Sequence, residues 1–248
     1  MRTRYRSFLI APILLSMLVS CTEGPEGDPG PERLTGDGKG RVNVYDEFID
    51  SDMDPGGVTV TAIGYDHEIT ATSDADGEYL LTGLQTGHYR IEFEKEGFGK
   101  RVITHRFLGG ERPEVIVGVD MIQLSSTVVE EFNLRLESGH IICDGIISPA
   151  STEGAIRSVV FYFDRNDDVS NTSYIDFIPL MDYYIDSTVF HYEIPFGNAD
   201  FPSGATTYMV AYGLSGYYWV NGYYDELLEK YLLNVNSSNS KRASIYIP

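Results

Sequence analysis

Basic side chains are scarce in this chain. Eighteen lysines and arginines face 37 aspartates and glutamates, a formal charge of −19 over 248 residues. A surface of that sign repels phosphate backbones, so nucleic acid is not expected as a partner. The five histidines (His67, His88, His105, His140, His191) are never three or four positions apart, so no zinc-protease helix motif exists. There is no Gly-x-Ser-x-Gly elbow and no glycine-rich phosphate loop. The first apolar run, Phe8 to Val19, holds twelve residues and includes Pro12. That is too short to span a bilayer but fits the core of a signal peptide.

The run follows a basic start, Arg2, Arg4 and Arg6, and ends in Leu18-Val19-Ser20-Cys21. This resembles the bacterial lipobox. The resemblance implies that residues 1–20 are a signal peptide, that Cys21 carries a lipid, and that this lipid holds the protein at a membrane. A surface this acidic offers no basic patch for anionic headgroups, so the covalent lipid would do the anchoring. Only Cys143 then remains. One thiol closes no internal disulfide and builds no thiolate zinc site, so the fold must be held by burial alone.

Residues 21–38 read as a solvated tether. Gly24, Gly27 and Gly30 alternate with Pro25, Pro29 and Pro31, and apolar residues are few. Glu23 and Glu26 resemble the surface-export signal of some Gram-negative lipoproteins. The expected location is the outer membrane, on its periplasmic or its surface-exposed side.

From residue 39 the pattern has period two. Val42 and Val44, then Val58, Val60 and Ala62, then Tyr89, Ile91 and Phe93 alternate with polar neighbours, as do Phe132, Leu134 and Leu136. Each run gives one apolar and one polar face, the signature of half-buried strands. Gly56-Gly57, Gly64, Asp76-Gly77, Gly83 and Gly87 supply turn positions between them. Short strands at this spacing indicate a β-sandwich.

The stretch "GGVTVTAIGYDHEITATSDADGEYLLTGLQTGHYRIEFEKEGF" resembles the carboxypeptidase regulatory-like domain, a transthyretin-like sandwich. The resemblance implies a non-catalytic accessory module over residues 39–137, with a strand near 128–137 completing it. Residues 138–248 are expected to form a second sandwich, which resembles fibronectin type III or immunoglobulin-like domains in strand rhythm. In "TTYMVAYGL", Tyr208, Val210 and Tyr212 share one face and Met209 and Ala211 the other, as in a central strand covered on both sides. "DELLEKYLL" (225–233) is expected as a short helix with Leu228, Tyr231 and Leu232 on one side. The fold class is therefore all-β, two β-sandwiches behind a signal peptide and tether.

Three places invite chemistry. Asp74, Asp76 and Glu78 surround Gly77, but a calcium ion needs six to eight oxygens and the distal glutamate of a long loop is missing. A tight Asp-Gly turn with its acids in water explains the same residues. Asp164, Asn166 and Asp168 have calcium-loop spacing, but Val169 stands where that loop needs glycine and Ile175 where it needs glutamate, so a solvated acidic loop is the stronger reading. The third is aromatic: Tyr217, Tyr218, Trp219, Tyr223 and Tyr224 crowd into eight positions beside Asn221, Asp225 and Glu226. Flat rings with polar edges suit a sugar face or a protein contact, although tyrosine also fills sandwich cores.

These features describe a non-enzymatic, lipid-anchored envelope protein that binds or assembles with an envelope protein or glycan. The second reading is an accessory carbohydrate-binding lipoprotein that uses the 217–224 aromatics. A hydrolase comes third, because no nucleophile or metal set is recognisable. No cofactor and no metal are expected.

Overall fold

The structure, a computed structural model, describes residues 34–49, 52–110, 114–116, 118–153, 155–180, 188–196, 201, 203–216 and 221–248. The expected signal peptide, Cys21 and most of the tether lie outside the described residues, as do Tyr217, Tyr218 and Trp219.

The first half of the chain forms eight strands: β1 (Thr35–Tyr45), β2 (Thr59–Ile63), β3 (Glu68–Thr72), β4 (Glu78–Gln85), β5 (Gly87–Glu94), β6 (Arg101–Leu108), β7 (Glu114–Val115) and β8 (Val119–Ile122). One sheet has β1 between β4, antiparallel, and β7 and β8, both parallel to it; the other runs β3-β2-β5-β6, all antiparallel. The alternating apolar residues meet between the two sheets. Val42, Val44, Val60, Leu81, Ile91 and Phe93 belong to one buried cluster.

The first strand starts earlier than its composition suggests, since Thr35 to Gly38 were expected as tether. The glycines there serve close packing. Gly40 lies directly opposite Tyr79, whose ring occupies the space a Cβ would take. Gly38 makes room in the same way for Leu84 and Ile116. A glycine beneath a large neighbour marks a strand under a close approach.

The second half adds β9 (Val128–Glu137), β10 (His140–Ser148), β11 (Ser158–Asp164), β12 (Asp176–Leu180), β13 (Val189–Pro195), β14 (Ala205–Leu214), β15 (Gly222–Asp225), β16 (Lys230–Leu233) and β17 (Val235–Ile247). The sheet β13-β10-β9 faces the sheet β12-β11-β14-β17. Phe132 from the first stacks on Phe161 from the second at 5.4 Å, within a core that includes Cys143, Phe163, Phe190 and Met209. Each such side chain contributes roughly 1.5–3 kcal/mol by leaving water. The expected two-sided strand is present. Met209 and Ala211 face this core, while Val210 and Tyr212 face another cluster with Tyr162, Tyr174 and Leu233.

Two expectations are corrected. The strand at 128–137 does not complete the first sandwich; β9 pairs with β10 from Glu137–His140 to Val128–Ser148, and Val129 and Phe132 lie in the second core. Ser138-Gly139, read as the domain boundary, is the two-residue turn of that hairpin, with φ of 48° and 82°. Both central residues of a type I′ turn need positive φ, and the pair supplies it. The handover between cores therefore falls at residues 123–127.

Residues 225–233 are not a helix. β15 and β16 form a hairpin, pairing Gly222 with Leu233 and Asp225 with Lys230. An isolated helix of nine residues is marginal in water, and strand pairing together with the packing of Leu233 outweighs its propensity.

Candidate functional site

Hairpin β15–β16 stands where the two sandwiches meet. Its base is fixed by Asn221, a buried residue whose amide donates to the carbonyls of Ser215 (2.7 Å) and Asn234 (3.1 Å). Its tip is fixed by Asp225, whose Oδ1 accepts from the backbone N–H of Leu227 (3.0 Å) and Leu228 (3.1 Å). Glu229 closes the turn at φ 53°.

One side of the hairpin is clamped to the second sandwich. The Tyr174 hydroxyl donates to the Tyr231 carbonyl at 2.6 Å. The Lys230 ammonium lies 4.4 Å from the Tyr174 ring centroid and donates to the Tyr174 carbonyl. The other side is clamped to the first. Arg101 donates to the Gly222 carbonyl, and the Asn234 amide donates to the Lys100 carbonyl at 3.0 Å. Arg90 bridges Glu92 (3.0 Å) and Asp225 (3.9 Å), and Lys100 bridges Glu92 (2.6 Å) and Glu94 (2.8 Å).

The charges act on one another as their distances predict. Burial lowers the Lys100 pKa, but hydrogen bonds and charge from Glu92 and Glu94 outweigh it, and the net shift is upward. Burial raises the Tyr223 phenol; Asp225 and Glu92 add to this, while Lys100 and Arg90 oppose it.

The two described members of the aromatic cluster point opposite ways. Tyr223 turns into the charged junction, and Tyr224, next along the strand, is 51% exposed. Beyond it, Leu227 is 87% and Leu228 44% exposed. The hairpin thus presents Tyr224, Leu227 and Leu228 outward on a backbone held from both sides. The glutamates at 226 and 229 flank the leucines.

The acidic stretches are turns. Asp74 Oδ1 accepts from the N–H of Asp76 (3.0 Å) and Glu78 (2.9 Å), and Gly77 takes φ 79°. Asp164 Oδ1 accepts from the N–H groups of Arg165 (2.6 Å) and Asn166 (3.1 Å) and from the Asn166 amide (3.1 Å). Among the described residues no three His, Cys, Asp or Glu side chains converge on one point.

Sequence reasoning missed the junction residues Arg90, Glu92, Lys100, Arg101 and Asn234. Arg101 and Gly222 are 121 positions apart, and no local pattern joins them. The one available signal was the unusual density of charge at 90–101 on strands otherwise built for a core.

The chain matches no known protein family and no curated protein. Among solved structures it resembles a candidate carbohydrate-binding protein from Bacteroides uniformis, with 12% identity over 84% of this chain and 99% of that one, at a TM-score of 0.32. DUF3823-family proteins from Parabacteroides merdae (12% identity, 74% and 92% covered, TM-score 0.29) and Bacteroides ovatus (14%, 84% and 97%, 0.28) are also similar. Scores this low carry no argument about what this chain does. Its own coordinates define an all-β protein of two sandwiches with a hairpin clamped across their junction.

Proposed function

We propose that this chain is a non-enzymatic binding and assembly module, lipid-anchored through Cys21 at the outer membrane, whose contact element is hairpin β15–β16. The observation that carries this is Leu227, 87% exposed on a turn pinned by Asp225. An apolar side chain exposed to water on a fixed backbone is ready for a contact at little cost in ordering entropy.

The exposed ring of Tyr224 favours a second reading, contact with a sugar face. One experiment separates the two. The full chain carrying Cys21→Ala is tested against arrayed polysaccharides and arrayed envelope proteins. Protein binding lost in Leu227→Asp but kept in Tyr224→Ala supports the first reading. Glycan binding lost in Tyr224→Ala supports the second, and turnover of an arrayed glycan overturns both. For the anchor, metabolic labelling with a clickable fatty acid should mark the parent and not Cys21→Ala. A labelled mutant would refute lipidation at that residue.

A further inference from the structure

The first sandwich has an open flank. Among the described residues β4 is an edge of its sheet and β3 an edge of the facing sheet. The turn 73–77 joins them at one end, and beyond it lies a shallow groove of about 590 Å³. Its lining includes Lys39, Ala71, Asp74, Glu78, Tyr79 and Leu80. Some other edges have neighbours: β17 runs alongside β9, and hairpin β15–β16 lies against β6, while β3 meets β4 across the turn that joins them.

The first half of the β4 edge, residues 78–81, has few of the devices that normally keep another strand away, and a bulge at Thr82-Gly83 (Gly83 φ 76°) interrupts the edge beyond it. Its sequence, EYLLTGLQ, has no lysine and no proline, and Leu80 is 51% exposed on its outer face. The groove beside it is incomplete as a core. Ala71 is only partly buried there. Tyr79 is 4% exposed, yet its buried hydroxyl has no hydrogen-bond partner among the described residues. At the turn end the edge is acidic: Asp76 and Glu78 are exposed, with Asp74 beside them, and Arg41 is the cross-strand partner of Glu78.

We propose that the β4 edge takes an extended basic peptide, which adds to the sheet as a further strand. Main-chain hydrogen bonds would supply affinity, and side-chain alternation would supply selectivity. Small apolar residues on one face of the peptide would cover Ala71. Lysine or arginine on the other would lie beside Glu78. The charge of the whole chain, −19, favours the same sign of partner. The inference deepens the binding-module reading and rests on it, but it uses a surface remote in sequence from the hairpin, so the two fail separately.

The test is amide hydrogen exchange on the full chain. The probe is an acetylated octapeptide alternating lysine and valine. Exchange should slow within residues 78–85 and not at the edges β12 and β13. The same peptide N-methylated at every residue keeps its charge but cannot donate, and should not protect β4. A glutamate–valine counterpart should not bind. Leu80→Lys places a guarding charge on the edge and should weaken binding by about tenfold. If that variant loses its fold, Glu78→Gln is the second probe, with a smaller loss expected. Equal binding of the N-methylated or the glutamate peptide would overturn the proposal. So would protection mapped to another edge, or no protection at millimolar peptide.

Discussion

The Glu47 carboxylate lies 3.8 Å from the Arg157 guanidinium, and both side chains are nearly withdrawn from water. Glu47 follows β1 of the first sandwich, and Arg157 precedes β11 of the second. Ser126, in the connecting segment, serves both: it donates to Glu47 from its N–H (2.7 Å) and its hydroxyl (2.5 Å), and Arg157 donates to its Oγ at 2.9 Å. The Glu47 carbonyl also accepts from the Gly216 N–H at 2.8 Å. At this point the two cores are joined by an ion pair that Ser126 bridges.

Removing one partner of such a pair leaves the other charged and out of water. Glu47→Ala is expected to cost about 3 kcal/mol in urea unfolding, and Glu47→Ala with Arg157→Met less than the sum of the two single changes. A loss below about 1 kcal/mol would place the pair with exposed ones and remove its role as the tie.

The turn after Ser73 gives the second prediction. Gly77 combines φ 79° with a missing Cβ that would collide with the Val42 carbonyl. Gly77→Ala should therefore cost about 2 kcal/mol or more, and Asp74→Ala, which loses two bonds to backbone N–H, about 1 kcal/mol. Millimolar calcium should leave the melting midpoint of the parent unchanged. A calcium-dependent rise that Asp76→Ala with Glu78→Ala abolishes would mean the acids hold an ion, because a ligand of the folded state alone raises the midpoint.

Cys143 sets an alkaline limit. Burial raises its thiol from 9.0 to about 12. Between those values the unfolded thiol has released a proton that the folded thiol keeps. The unfolded state then binds fewer protons, so stability is intact below about pH 9 and falls as pH rises toward 12. The tyrosines raised by burial, Tyr79 and Tyr162 among them, act in the same direction above pH 10. Cys143→Ala should lower stability at pH 7 and flatten its decline between pH 9 and 10. An unchanged slope would show that the thiol ionises as freely in the folded chain.

Exposed and buried leucines of one hairpin should behave differently. Leu227→Asp changes a side chain in water and should move stability by no more than about 0.5 kcal/mol. Leu233→Ala removes a side chain packed in the cluster of Val160, Tyr162 and Tyr212 and should cost about 2–4 kcal/mol. If Leu227→Asp also cost several kcal/mol, the tip would be packed rather than presented, and the proposed contact element would be lost.

The sequence by itself determined the all-β class, the inward residues and several turns. These are local properties. Alternation in "RIEFE" puts Ile91 and Phe93 on one face whatever the partner strand is, and Asp-Gly at 76–77 demands a turn wherever it stands. The two-sided burial of β14 was legible for the same reason, because apolar residues occupy both phases of the alternation. Tertiary structure decided which strands pair. β9 carries the same pattern whether it closes the first sandwich or opens the second, and only the stacking of Phe132 on Phe161 and the Ser138-Gly139 turn assign it. It also turned 225–233 from a helical pattern into a hairpin. It brought Arg90, Lys100 and Arg101 to Tyr223 and Asp225, and Glu47 to Arg157, across separations of more than a hundred residues. Contacts of that kind depend on how two whole sandwiches dock, and docking leaves no period in the chain.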